Sequence, residues 1–135
     1  MSVTQYMLAS TTEDYTKCVQ FLDDHSVKHN ELAHPTIMAL RGDEVVALLS
    51  TISLRDAVVA GPMHVGVEGN PSFVLIRLVE SYENILRLSH VTMYNFYVLK
   101  TDTAYLNAIE QISESWDIKQ LYTDQSDRVW FERTL

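Results

Sequence analysis

Cysteine is nearly absent from this 135-residue chain: Cys18 stands alone, can form no internal disulfide, and fits a reducing compartment. Glycine and proline are equally thin, four and three, and nowhere gather into a linker. No segment repeats and none is of low complexity, so one domain over residues 1–135 is the economical reading. A domain of this length buries roughly two-thirds of its unfolded surface and needs no staple of disulfides or metal. Long apolar runs are missing too: the longest strongly apolar stretch, residues 45–49, is far short of a membrane span. The opening Met1, Ser2, Val3, Thr4 and Gln5 hold no basic region and lead into no apolar one, so no signal peptide is expected and the chain reads as cytoplasmic.

Positive charge is the other scarcity. Ten basic residues, scattered singly, stand against eighteen acidic ones, for a formal charge of −8. A field of that sign repels phosphate backbones and anionic lipid, so neither nucleic acid nor a membrane is an expected partner, while a cationic or amine partner is favoured. The plainer use of the excess acid is solubility. G-x-S-x-G, P-loop and zinc-ligand patterns are absent as well.

What is present is an alternation of strand and helix periods. Residues 6–9 read as a short strand. Ser10 and Glu13 have capping-box spacing, and Tyr15, Cys18, Val19 and Leu22 form the apolar stripe of a first helix, closed by the polar stretch 23–34. Strands follow at 36–40 and 45–52 around a Gly42-Asp43 turn. Another runs over 57–67, interrupted by Gly61-Pro62, a pair that suggests a bulge because proline donates no ladder hydrogen bond. Asn70 as N-cap and Pro71 at the first helical position open a second helix with a stripe of Leu75, Leu78, Val79, Tyr82, Ile85 and Leu86. Residues 93–99 are β-branched and aromatic. Thr101, Asp102 and Thr103 offer caps for a third helix with the stripe Tyr105, Ala108, Ile109, Ile112 and Trp116. Residues 119–123 and 128–134 close the chain as a hairpin. The order β-α-β-β-β-α-β-α-β-β predicts a mixed, twisted α/β sheet: an antiparallel meander, a parallel crossover between the fourth and fifth strands, and helices on both faces.

That order, over essentially the whole chain, resembles the GCN5-related N-acetyltransferase (GNAT) superfamily, in architecture and length more than in motif. The resemblance implies a bulged fourth strand splayed from a parallel fifth, acyl-CoA (acetyl-CoA or another) in the gap, and its pyrophosphate on the N-terminus of the following helix. It places cofactor contacts at Met63, Val65, Gly66, Gly69, Asn70, Ser72 and Phe73. The family's phosphate loop is usually richer in glycine and carries a Gln or Arg. Here it reads Val67-Glu68-Gly69-Asn70-Pro71-Ser72-Phe73, with one glycine, no arginine and an acid that opposes a pyrophosphate.

For the chemistry, the resemblance implies a base on or near the fourth strand and a tyrosine on the last helix to serve the departing thiolate. His64, with an imidazole suited to neutral pH, is the first candidate base, Glu68 the second, and Tyr105 the acid. Packing is the plainer role for His64, between Met63 and Val65, and for Tyr105, on an apolar stripe. Tyr94 and Tyr97 lie on opposite faces of the fifth strand, so only one of them can line a pocket. His25 and His29 have i, i+4 spacing with His34 beyond, which a solvated helix end explains better than a metal site. Cys18, on a buried stripe, reads as an inert thiol. The expectation is a divergent acyl-CoA-dependent N-acyltransferase for a small-molecule or peptidic amine. A second reading is a non-catalytic protein of the same fold, similar to short phage-encoded chains that lack the glycine loop. It would bind a protein partner or a second copy of itself. A small-ligand sensor is a third.

Overall fold

The computed structural model describes residues 3–54, 57–66 and 71–135. The elements run β1 (Thr4–Leu8), α1 (Thr12–Asp24), β2 (Ala33–Arg41), β3 (Glu44–Leu54), β4 (Ala57–Val65), α2 (Pro71–Leu88), β5 (Met93–Leu99), α3 (Thr103–Ile112), β6 (Ile118–Thr123) and β7 (Arg128–Thr134). This is the order expected from the sequence. The strands form one sheet in the order β1-β2-β3-β4-β5-β7-β6. Every pairing is antiparallel except that of β4 with β5.

Alternation along the strands sorts two layers. Met38, Val45 and Leu48 face α1, where Ala9, Cys18, Phe21 and Leu22 meet them. Ile37, Ala39, Ala47, Leu49 and Ala60 face the other way, onto Val74, Leu78, Tyr82 and Leu86 of α2. A third cluster, Val98, Val129 and Phe131 against Ile109 with Tyr105 and Leu106, seats α3; Phe96 joins it to the α2 cluster, so α2 and α3 share a face.

Local expectations shift by small amounts, each for a physical reason. The first helix is capped by Thr11 and Asp14 rather than Ser10 and Glu13, because the Asp14 carboxylate accepts from the backbone of both Ser10 (2.9 Å) and Thr11 (3.2 Å). On α2 the deepest line is Val74, Leu78, Tyr82 and Leu86, while Leu75 and Val79 lie at its half-buried margin. The cap expected at Asn70 lies outside the described residues. Helix α3 ends at Ile112, so Trp116 falls beyond it, under the Arg133 guanidinium (5.2 Å). It packs through Tyr105, Leu106 and Ile109, leaving Ala108 and Ile112 exposed. The Asp102 side chain makes no cap hydrogen bond.

Buried polar groups mark where the ladder is interrupted. The β2–β3 register slips between Ala33 and Ile37. The carbonyls of that stretch are met by side chains instead: Thr36 donates to Ala33 O (2.8 Å) and Thr51 to Pro35 O (2.7 Å). With the Thr51 hydrogen so used, the Tyr82 hydroxyl donates to Thr51 Oγ1 (2.7 Å), anchoring α2 on β3. The next residue, Glu83, receives the Tyr94 hydroxyl (2.6 Å) and both Nε (2.8 Å) and Nη2 (2.9 Å) of Arg133. Burial beside that carboxylate pushes the Tyr94 phenol far up, so Tyr94 is a proton donor locked in the core.

Two outcomes follow for urea unfolding. Leu78, fully buried, should cost about 2–5 kcal/mol on replacement by alanine, whereas Ile76→Ala on the exposed face should stay within about 0.5 kcal/mol. Arg133→Ala removes the nearer cation from the buried Glu83 carboxylate, leaving it the Tyr94 hydroxyl and Arg87 at 3.7 Å, and should cost up to about 3 kcal/mol; a loss under about 1 kcal/mol would show that the clasp contributes little.

Candidate active site

The centre of the sheet is where its hydrogen bonding fails. Strands β4 and β5 register at a single pair among the described residues, Val59 with Asn95, and diverge beyond it. The divergence begins at a bulge. Leu49 stands opposite Met63 and Thr51 opposite Ala60, so Gly61 and Pro62 together face Ser50. Gly61 has φ 141°, a conformation that side-chain-bearing residues rarely adopt, and this is why glycine occupies the kink.

After the bulge the backbone has a definite polarity. Gly66 N–H donates to Val46 O (2.9 Å), on the β3 side. Since successive residues of a strand direct their backbone groups to opposite neighbours, His64 also turns toward β3, while Met63 and Val65 turn their N–H and C=O into the space that β5 has left. Helix α2 starts at Pro71, beyond the end of β4, and the N–H of Ser72, second in its first turn, has no acceptor within the helix. The gap therefore has inward-facing amides along one wall and a helix N-terminus, with its positive dipole end, beyond its mouth.

Side chains close its two faces. Met63 and Val65 lie on the α2 face. There Tyr105 reaches over from α3, its hydroxyl 3.9 Å from the Met63 sulfur. Burial, with the charge of Asp102 added, pushes that phenol up to about 12, so it keeps its proton at neutral pH. His64 points to the opposite face, against α1. Its ring lies 5.7 Å from Phe21 and 4.9 Å from His25. Burial, and then the neighbouring His25, hold its pKa below the usual imidazole value, so it is a neutral base at pH 7.

Of the site residues expected from sequence, the structure thus brings Met63, Val65 and Tyr105 together at the gap, sets His64 and Gly66 on the opposite face beside His25, and starts α2 beyond. Glu68, Gly69 and Asn70 lie outside the described residues. His25 and His29, noted for their i, i+4 spacing, go separate ways at the end of α1. His25 caps α1 and joins His64, while His29 bonds Asp23 (3.0 Å) in the following loop, and the Asn30 carbonyl and Asp23 raise the pKa of His29. Its i, i+4 spacing to Phe21 was the available signal; the long-range contact to His64 had none. Cys18 is fully buried, and burial pushes its thiol up to about 11. Among the described residues, no three His, Cys, Asp or Glu side chains are grouped to hold a metal. No described helix is long and apolar enough to cross a membrane. A separate open cavity of about 680 Å³ lies between the first turn of α1 and residues 29–32, lined by Thr11, Tyr15 and Leu32 among others. His29 also lines it, whereas His25 and His64 do not.

No protein-family model matches this sequence, and no curated protein is similar to it in sequence. Solved structures are similar in fold. Diaminobutyrate acetyltransferase EctA from Paenibacillus lautus, in complex with L-2,4-diaminobutyric acid and coenzyme A, superposes with a TM-score of 0.72 at 12% identity, over 99% of this chain and 96% of that one. PaiA N-acetyltransferase from Thermoplasma acidophilum, in complex with coenzyme A, gives 0.72 at 9% identity, over 98% and 99%. The ribosomal-protein-S18-alanine N-acetyltransferase from Escherichia coli gives 0.70 at 12% identity, over 98% and 93%. With its bulged fourth strand, its splayed fifth and these neighbours, the chain has the GNAT superfamily fold.

Proposed function

We propose that this chain is an acyl-CoA-dependent N-acyltransferase acting on a small-molecule or peptidic amine, with acetyl-CoA the first donor to test. The observation that carries the reading is the gap between β4 and β5, with the Met63 and Val65 amides turned into it. The neighbours that hold coenzyme A, EctA and PaiA, share this fold and support the donor.

The residues present suit such a donor. Bound acyl-CoA would supply an activated thioester carbon. The Met63 and Val65 N–H groups would orient its carbonyl and hold the charge that grows on the oxygen. The N-terminus of α2, with the Ser72 amide in its first turn, would serve the pyrophosphate, whereas the Gly66 N–H expected there is given to Val46 O. His64, neutral at pH 7, would take the ammonium proton of the acceptor. Tyr105 would donate a hydrogen bond to the departing sulfur. A phenol near 12 yields its proton to a thiolate only uphill, so Tyr105 stabilises that charge more than it neutralises it. Holding both substrates in one cleft supplies much of the remaining rate. Glu68 is the one element set against the donor, a carboxylate in the loop where a pyrophosphate would rest.

Acetyl-CoA at a hundred times its dissociation constant should stabilise the fold by about 2.7 kcal/mol in a thermal melt. His64→Asn should lower kcat by about 10²–10⁴ with that stabilisation retained. The acid limb of kcat/KM should have its midpoint below about 6.5, because a base whose pKa is lowered stays deprotonated to lower pH. In calorimetry Glu68→Gln should bind CoA more tightly than wild type, the more so at low salt. If it binds CoA but loses turnover, Glu68 rather than His64 is the base. No stabilisation by acetyl-, propionyl- or longer acyl-CoA would overturn the reading in favour of a non-catalytic, protein-binding member of the fold.

A further inference from the structure

His25 is a histidine with one nitrogen committed and one free. As the cap of α1 it donates its backbone N–H to the Phe21 and Leu22 carbonyls (both 3.2 Å), and its Nδ1 lies 2.8 Å from the same Phe21 oxygen. A carbonyl can only accept, so Nδ1 carries the hydrogen, and Nε2 of the neutral ring is a bare acceptor. That Nε2 hangs over the end of β4: a Cβ built on Gly66 would stand 2.9 Å from it, and 3.1 Å and 3.2 Å from two atoms of the Phe21 ring. Glycine at 66 is thus what lets the imidazole settle there, with its centroid 4.9 Å from that of His64. The two rings meet at a tilt of 50° without a direct hydrogen bond, a spacing that one water can bridge. The His25 residue is exposed, whereas His64 is half-buried.

We propose that His25 is the outlet of the proton path. His64 takes the proton of the acceptor ammonium, passes it to His25 Nε2, and His25 releases it to water. The proposal rests on the acyltransferase reading above. In the first two steps one N–H bond breaks and one forms; in the last the His25 Nε2–H bond breaks and an O–H bond forms on water; no electrons are exchanged, and both imidazoles end neutral. Other charges near the pair are occupied or distant. Asp23 is bonded to His29 (3.0 Å), Asp24 accepts from Gln20 (2.7 Å), and Asp14 serves the helix cap. From the sheet, β3 and β2 present Leu48, Val45 and Met38 on this face. Among the described residues, His25 is the titratable neighbour whose proton, when present, opposes one on His64. A proton on either ring opposes a proton on the other, so the pair passes one proton at a time.

The test pairs NMR of the imidazole nitrogens with kinetics on wild type, His25→Gln and Gly66→Ala. His25→Gln keeps the backbone cap, and Gly66→Ala displaces the ring without altering it, so two independent variants probe the contact. Wild-type His25 should show Nδ1–H and a bare Nε2. In both variants the His64 midpoint should rise by about half a pH unit, the shift a unit charge about 5 Å away produces even at the dielectric of water. The acid limb of the rate should move up by the same amount, and kcat should fall while KM for the amine holds. A His64 midpoint that stays put in both folded variants overturns the proposal. So does a midpoint that moves with kcat unchanged, which would make His25 an electrostatic neighbour only. In either case turnover by wild type leaves the acyltransferase reading standing; absence of wild-type turnover with every acyl-CoA would take both down together.

Discussion

Among the described residues Val59 and Asn95 form the one registered pair joining the two halves of the sheet, and a single parallel contact cannot hold them against solvent. The load passes to α2 instead. Two consecutive residues on that helix reach in different directions: Tyr82 bonds Thr51 on β3, and Glu83 bonds Tyr94 on β5 and Arg133 on β7. One turn of helix therefore clamps both halves with buried hydrogen bonds, charge-assisted at Glu83, while Leu78 and Leu86 on the same face supply apolar area. The clamp allows β4 and β5 to part at their C-terminal ends without the sheet coming apart. An open gap in a sheet leaves backbone donors without strand partners, and such donors are tolerated only where a ligand or water meets them. The architecture thus leaves donors available and spends the helix on keeping them so.

Much of this was legible in the sequence, where the signals are local. The element order emerged from periodicity, and the bulge from Gly61-Pro62, because a positive φ and a missing donor are properties of those two residues themselves. Where neighbouring residues compete for one role, sequence could not arbitrate. Ser10 and Thr11 both have an acid three positions on, and the choice fell to Thr11 because one Asp14 carboxylate serves two amides. Val74 and Leu75 are equally apolar, and only the angle at which α2 lies on the sheet selects Val74. The stripe drawn through Trp116 overran the end of its helix, because Trp116 is as well explained by a cation from β7 as by a helical face. The Glu83–Arg133 clasp spans 50 positions, and nothing near either residue announces it.

Strand β4 also sorts the chemistry of its own residues. Successive side chains go to opposite faces, so Met63 meets α3's tyrosine and His64 meets α1's histidine, while the amides between them turn to the gap. Burial then acts in opposite senses on the two titratable groups. It disfavours the charged form of each, which for an imidazole means losing a proton and for a phenol means keeping one. The same desolvation leaves a base on the α1 side and a donor on the α3 side at one pH, with no charged partner needed to hold either state. Packing and proton transfer are therefore not rival accounts of His64 and Tyr105: the contacts that make them look like core residues are the contacts that set their protonation.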